Sequence, residues 1–200
     1  MEGDIDIAVL ASGSGTNLQA LIDTSDLGAK IQLVVSDKPE ARALARAGDA
    51  GIETRVISWG DYETRESFSN ALTDAIVSSG AEIVVLAGFM RIISSEAVGR
   101  FKDRILNIHP SLLPAFPGSD AVAQALEYGV KVTGVTVHVV DEQVDHGPII
   151  AQRAVPILPG DDEGSLHARI QVEEHDLLPR VVRGFAAGEI EVQGREVIWR

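Results

Sequence analysis

The sequence predicts an open, doubly wound α/β fold: a mostly parallel sheet with helices on both faces and antiparallel strands in its C-terminal part. Three observations carry that expectation. In the first half, short runs that are apolar throughout alternate with segments of helical periodicity. A strand that is apolar on both faces must be covered on both, which is the mark of parallel strands joined by crossover helices. Right-handed crossovers then make the open doubly wound sheet the default. In the second half, Val132–Val140 instead alternates around Thr133, Thr136 and His138, the pattern of a strand paired differently on its two faces.

The elements run in order along the chain. Ile5–Ala11 is an apolar strand that ends in Ser12-Gly13-Ser14-Gly15-Thr16-Asn17, after which Leu18, Leu21 and Ile22 recur at helical spacing. Ile31–Val35 is a second strand; Asp37-Lys38-Pro39 leads from it into an Ala/Arg-rich helix over Ala41–Ala50. Thr54–Ile57 reads as a third short strand. A longer helix is expected over Tyr62–Ser78, with Phe68, Leu72, Ala75 and Ile76 on one face. Ile83–Ala87 and Arg104–Ile108 are further buried strands, and Pro148–Ile157 is strand-like. Asp161-Asp162 supply the N-cap and first-turn acids of a helix running to about Ala187. Glu189–Arg200 reads as a hairpin turning at Gln193-Gly194.

Bulk properties bound the function. Two hundred residues suit a single domain over 1–200. Seventeen Lys and Arg against thirty Asp and Glu give a formal charge of −13. That balance excludes a general nucleic-acid footprint and opposes an anionic membrane surface. Cysteine is absent, so no disulfide, thiolate nucleophile or thiolate metal site exists. The acidic N-terminus lacks the basic and apolar regions of a signal peptide, and no apolar run approaches the roughly 18 residues of a membrane span. A soluble, cytoplasmic protein is expected.

Ligands of doubly wound sheets bind beyond the carboxyl ends of the strands, which nominates the loops Ser12–Asn17, Gly88–Ile93 and Asn107–Gly118. Small residues in the first let backbone N–H groups approach a phosphate at a helix N-terminus. It is not a dinucleotide fingerprint, because Leu18 stands where the third glycine belongs, although Asp37 lies near a ribose-binding position. It is not a P-loop, since no Gly-Lys-Ser/Thr comes after it, nor a nucleophile elbow, since Ser12 replaces the first glycine.

Asn107 and His109 lie two apart and so project to one face of a strand, while Pro110 holds His109 extended and ends the strand. Pro110, Pro114 and Pro117 stiffen the loop beyond His109. An amide donor and an imidazole together suit acyl transfer through a tetrahedral intermediate. Asp145 alone reads as a turn former before Gly147-Pro148; beside His109 it would stabilise the imidazolium. No histidine stands in a metal-ligand spacing, so no metal is expected. His138 reads as a core residue or one supporting the site from behind, and His146, beside Asp145, is the histidine to watch.

Taken together, four blocks resemble the phosphoribosylglycinamide formyltransferases, within the family of 10-formyltetrahydrofolate-using transferases. They are Val9-Leu10-Ala11-Ser12-Gly13-Ser14-Gly15-Thr16-Asn17-Leu18-Gln19-Ala20, Leu86-Ala87-Gly88-Phe89-Met90-Arg91-Ile92, Asn107-Ile108-His109-Pro110-Ser111-Leu112-Leu113-Pro114-Ala115-Phe116-Pro117-Gly118 and Asp145-His146-Gly147-Pro148. The resemblance implies formyl transfer from 10-formyltetrahydrofolate, as co-substrate, to glycinamide ribonucleotide, with no metal. It implies Asn107, His109 and Asp145 as catalytic residues. Gly15, Thr16 and Asn17 would hold the phosphate, with Glu174 near the glycinamide. Backbone groups of Met90, Arg91, Ile92 and Ile93 would read the pterin beside Asn107, and Arg65 would meet the folate's glutamate tail. Residues 1–105 then form a nucleotide-binding half and 106–200 a catalytic and folate-binding half, and the resemblance leaves a homodimer open.

Two departures stand out. Asp120 occupies a position where relatives often carry histidine, and the turn before Asp145 varies in length within the family. Methionyl-tRNA formyltransferases share the Asn-x-His-Pro core but add a C-terminal domain and a basic face; the related deformylases add an N-terminal regulatory domain. Neither addition is expected here.

Overall fold

The computed structural model describes residues 4–200. Seven strands form one sheet: β1 (Ile5–Leu10), β2 (Ala29–Ser36), β3 (Glu53–Val56), β4 (Ile83–Leu86), β5 (Ile105–His109), β6 (Val132–Val139) and β7 (Ile149–Pro156). Their order is β3-β2-β1-β4-β5-β6-β7. The first five are parallel, whereas β6 runs antiparallel to β5 and β7 antiparallel to β6. Strand order reverses between β1 and β4, so the crevice at their carboxyl ends is where ligands of such sheets bind.

Six helices cover the sheet: α1 (Thr16–Asp23), α2 (Arg42–Asp49), α3 (Arg65–Ser79), α4 (Ser95–Arg100), α5 (Ala121–Tyr128) and α6 (Glu163–Ala186). Alternation along β1 divides the core between the two faces. Ile7 and Val9 join Leu18 and Leu21 of α1 and Leu166, Ile170 and Leu178 of α6. Ala8 and Leu10 join Phe68 and Leu72 of α3 and Val98 of α4. Full burial of one such side chain contributes about 1.5–3 kcal/mol. The tail forms a separate hairpin, β8 (Ile190–Gln193) with β9 (Glu196–Trp199).

Three differences from the sequence reading have local causes. The helix expected from Tyr62 begins at Arg65, because Thr64 closes a capping box with Ser67. Trp59–Asp61 form a short 3-10 turn before it, and Trp59 and Tyr62 pack edge-on against Phe68 instead. β3 and β5 are each displaced by one residue, since Glu53 pairs with Leu33 and His109 with Thr136. Helices α4 and α5 are additions to the expected elements: both are short and lie in segments to which the sequence assigns no element.

Candidate active site

The carboxyl ends of β1, β4 and β5 open into one cleft of about 740 Å³. At its first wall, Gly15 precedes α1 with φ of 69°. A Cβ there would stand 2.7 Å from the Ala43 Cα, so both the dihedral and the close packing of α2 demand glycine. No side chain caps α1, whose first-turn N–H groups have no intrahelical acceptor. Thr16 and Asn17 line the cleft, and the Asn17 Nδ2 donates at 3.0 Å to Glu174 of α6. Glu174 is only 5% exposed. Gly15, Thr16, Asn17 and Glu174 therefore share one end of the cleft. The Asn17–Glu174 bond also joins the two halves that the sequence reading divides at residue 105.

The second wall is the Met90–Ile93 loop, which exposes Met90 and Ile92 at the cleft mouth. The Arg91 side chain is held below it: Nε lies 2.7 Å from the buried Asp37 carboxylate, and the guanidinium sits 5.5 Å over the Trp59 ring. That leaves the backbone of this loop, rather than the Arg91 charge, to meet a ligand. Asp37 is thus an anchor for the Met90–Ile93 loop. Arg65 is exposed and does not line the cleft, its nearest charge being Glu66 at 3.8 Å.

The third wall carries the ionisable groups. Asn107 and His109 face the same way from β5, and antiparallel pairing sets His138 directly across from Asn107. Asp145, at φ 52°, sits on the turn between β6 and β7. Gly147 lets that turn press on β6, for a Cβ there would meet the Val139 carbonyl at 1.8 Å. Asp145 Oδ2 lies 3.3 Å from His109 Nδ1 and accepts from the Gly118 N–H at 2.7 Å. Its Oδ1 accepts from Asn107 Nδ2 at 3.4 Å and lies 3.6 Å from His138 Nε2. Burial pushes the Asp145 carboxyl up, but the His138 contact, the Gly118 N–H and the charge of His109 together outweigh it, and its pKa falls below the ordinary 3.8. The site thus holds a firmly ionised carboxylate among imidazoles.

The surroundings of His109 are specific. Its Nε2–H donates to the Phe116 carbonyl at 2.8 Å, while Nδ1 faces Asp145. A carbonyl and a carboxylate both accept, so this setting suits an imidazolium. Phe116 reaches that place at φ 53°, in a loop secured by Thr136 Oγ donating to the Ser111 carbonyl. His138, read from the sequence as a core residue or one supporting the site, is buried and belongs to this cluster: its Nδ1–H donates to the Val139 carbonyl, and its Nε2 lies 3.1 Å from Asn107 Nδ2 and faces Asp145. His146 points elsewhere, bonding Asp141 at 2.7 Å. Asp120 is exposed at the start of α5, bonded to Ser119, and its residue lines the cleft. Among the described residues, no group of three or more His, Cys, Asp or Glu could hold a metal ion, and no helix is long and apolar enough to cross a membrane.

A doubly wound sheet with an imidazole, a carboxylate and a carboxamide at its carboxyl edge defines the class: a group-transfer fold of the formyl transferase type. Residues 5–182 match the formyl transferase family, and the chain belongs to it. Solved and curated relatives narrow the neighbourhood. A glycinamide ribonucleotide transformylase from Symbiobacterium toebii superposes with a TM-score of 0.96 at 46% identity, covering 100% of this chain and 95% of that one. The phosphoribosylglycinamide formyltransferase of Mycobacterium tuberculosis is 46% identical over 94% of this chain and 88% of its own. The trifunctional purine biosynthetic protein adenosine-3 of Drosophila melanogaster is 49% identical over 91% of this chain, which spans only 14% of that longer protein.

Proposed function

We propose that the chain transfers the formyl group of 10-formyltetrahydrofolate to the amine of N1-(5-phosphoribosyl)glycinamide, a step of de novo purine biosynthesis. The products are the N-formyl nucleotide and tetrahydrofolate. The observation that carries the reading is the convergence of Asn107, His109 and Asp145 on the cleft that Gly15–Asn17 and Glu174 close at the other end. The nucleotide phosphate meets the N-terminus of α1, where backbone N–H groups and the helix dipole favour an anion. The pterin lies against the Met90–Ile93 backbone, and the exposed Met90 and Ile92 supply apolar contact.

The amine lone pair attacks the formyl carbon and the carbonyl oxygen becomes an oxyanion. His109 donates to that oxygen by exchanging the Phe116 carbonyl for it, and the Asn107 carboxamide adds a second donor by giving up its 3.4 Å contact to Asp145. Asp145 balances the imidazolium charge and helps pass the amine proton, through water, to the folate nitrogen as its bond to the formyl carbon breaks. Rate comes from positioning and electrostatics, and no metal takes part. The reading extends to a cytoplasmic enzyme of small molecules without a nucleic-acid or membrane partner, the −13 charge opposing either polyanion. Residues 1–200 act as one formyltransferase unit, and a homodimer is compatible with it.

The test is release of tetrahydrofolate from 10-formyltetrahydrofolate by purified protein, with and without glycinamide ribonucleotide. Release only with the nucleotide is expected. Equal release without it makes the protein a hydrolase, and no release under either condition makes it a binding module.

A further inference from the structure

Ser12 is the last residue before the Gly13–Asn17 loop and is 4% exposed. Its N–H donates to the Gly88 carbonyl at 3.0 Å. Its Oγ accepts the Met90 N–H at 2.8 Å, across 78 residues of sequence. Among the described residues, the hydrogen bonds joining the Gly-rich loop segment to the Gly88–Ile93 loop are these two. The far side of the Gly-rich loop is held by α2 instead: the Ala43 N–H donates to the Gly13 carbonyl at 3.1 Å and Arg46 Nε to the Ser14 carbonyl at 2.9 Å. The loop is therefore held by α2, by the Asn17–Glu174 bond to α6 and, on the Gly88–Ile93 side, by Ser12 alone.

Those contacts have a thermodynamic consequence. A ligand phosphate engaging the N–H groups at Gly15–Asn17 restrains the loop that begins at Ser12. Restraint there pre-places the Ser12 acceptor and orders the Met90 N–H it holds, so part of the ordering cost of the second loop is already met. Linkage makes the effect reciprocal. Nothing in the cluster around His109 supplies such a connection, because Asp145 bonds Gly118, Asn107 and the two histidines and neither substrate loop.

We propose that Ser12 is a positioning residue that couples the two substrate subsites, so that occupation of the phosphate loop tightens folate binding at the Met90–Ile93 loop. This rests on the assignment of nucleotide and folate to those loops. Ser12 itself touches no reacting atom. Its side chain transmits order, and its loss leaves the backbone bond to Gly88 in place.

The experiment is calorimetric titration of tetrahydrofolate, which cannot react, into the full chain with and without saturating glycinamide ribonucleotide. In the wild type the nucleotide tightens tetrahydrofolate binding by roughly tenfold, the equivalent of about one net hydrogen bond. In Ser12→Ala the ratio falls towards one, the KM for 10-formyltetrahydrofolate rises by a similar factor and kcat changes less. Ser12→Thr keeps the acceptor and restores the ratio. A wild-type ratio of one, or an unchanged ratio in Ser12→Ala, overturns the coupling while leaving the proposed reaction standing. Failure of the wild type to bind either ligand removes the reaction and the coupling with it.

Discussion

The two ends of the cleft are built from different materials. At Gly15–Asn17 the groups offered to a ligand are backbone N–H donors, and what matters is that the chain can adopt φ of 69° with α2 packed close against it. At Asn107, His109 and Asp145 they are side chains, and what matters is the protonation of groups out of solvent: His109 is 4% exposed and the Asp145 side chain 10%. The first end is a problem of shape, the second of charge. Damage to each should therefore appear in a different quantity, binding at one and chemical rate at the other.

The largest effect belongs to the charged end. Asp145→Asn keeps the volume but removes the negative charge facing His109 Nδ1, so the imidazolium loses its counter-ion. Steady-state kinetics should show kcat falling by about 10²–10³, the scale of one proton-transfer or oxyanion-stabilising group, with both KM values within a few-fold of the wild type. A comparable rise in nucleotide KM would erase the contrast between the ends. Gly15→Ala should do the reverse. Its Cβ meets Ala43 and its left-handed backbone is strained, at about 1–3 kcal/mol of stability. Nucleotide KM should rise about tenfold or more, the cost of one to two lost backbone hydrogen bonds, with kcat less affected.

The smallest effect is in acid. The folded-state pKa of Asp145 lies below 3.8, so its ionisation stabilises the fold fully above that value and less as pH falls through the folded pKa. The unfolding free-energy difference between wild type and Asp145→Asn should shift against the wild type as pH falls below about pH 4, in line with that linkage. Denaturant unfolding at several acid pH values measures it. A difference that stays constant below about pH 4 would contradict the lowered carboxyl pKa.

The same contrast governs what the amino-acid sequence reveals. Shape determinants are local: Ser12–Asn17 announces a tight strand-to-helix turn by residue type alone, and β1, β2 and β4 announce themselves by continuous apolar runs. Asn107 and His109 are legible because a two-residue spacing on a strand fixes a common face. Their partnership with Asp145 is not, since it depends on a turn 38 residues further on from Asn107. His138 is legible as a core or supporting residue, but its place opposite Asn107 comes only from the antiparallel register of β5 and β6. Helix α4 is capped by Ser94 but has only six residues, and α5 has eight and no side-chain cap, so neither combines the length and the capping box that mark α3 and α6. Arg65 suits a carboxylate-bearing tail by residue type and stands 48% exposed outside the cleft, where only a ligand reaching beyond the cleft mouth would meet it. Asp37 sits near a ribose-acid position, and its Oδ2 is engaged by Arg91, a contact that no local pattern announces.

The division between a shape-built and a charge-built end matters only if both serve one transfer, the first holding the nucleotide whose amine takes the formyl group at the second. Carbon-13 placed in the formyl group of 10-formyltetrahydrofolate reports its destination directly when the purified protein turns over with glycinamide ribonucleotide. Appearance of the label as a formamide on the nucleotide, matched mole for mole by tetrahydrofolate, is the predicted result. Appearance of the label as free formate, with the nucleotide amine unchanged, would contradict it.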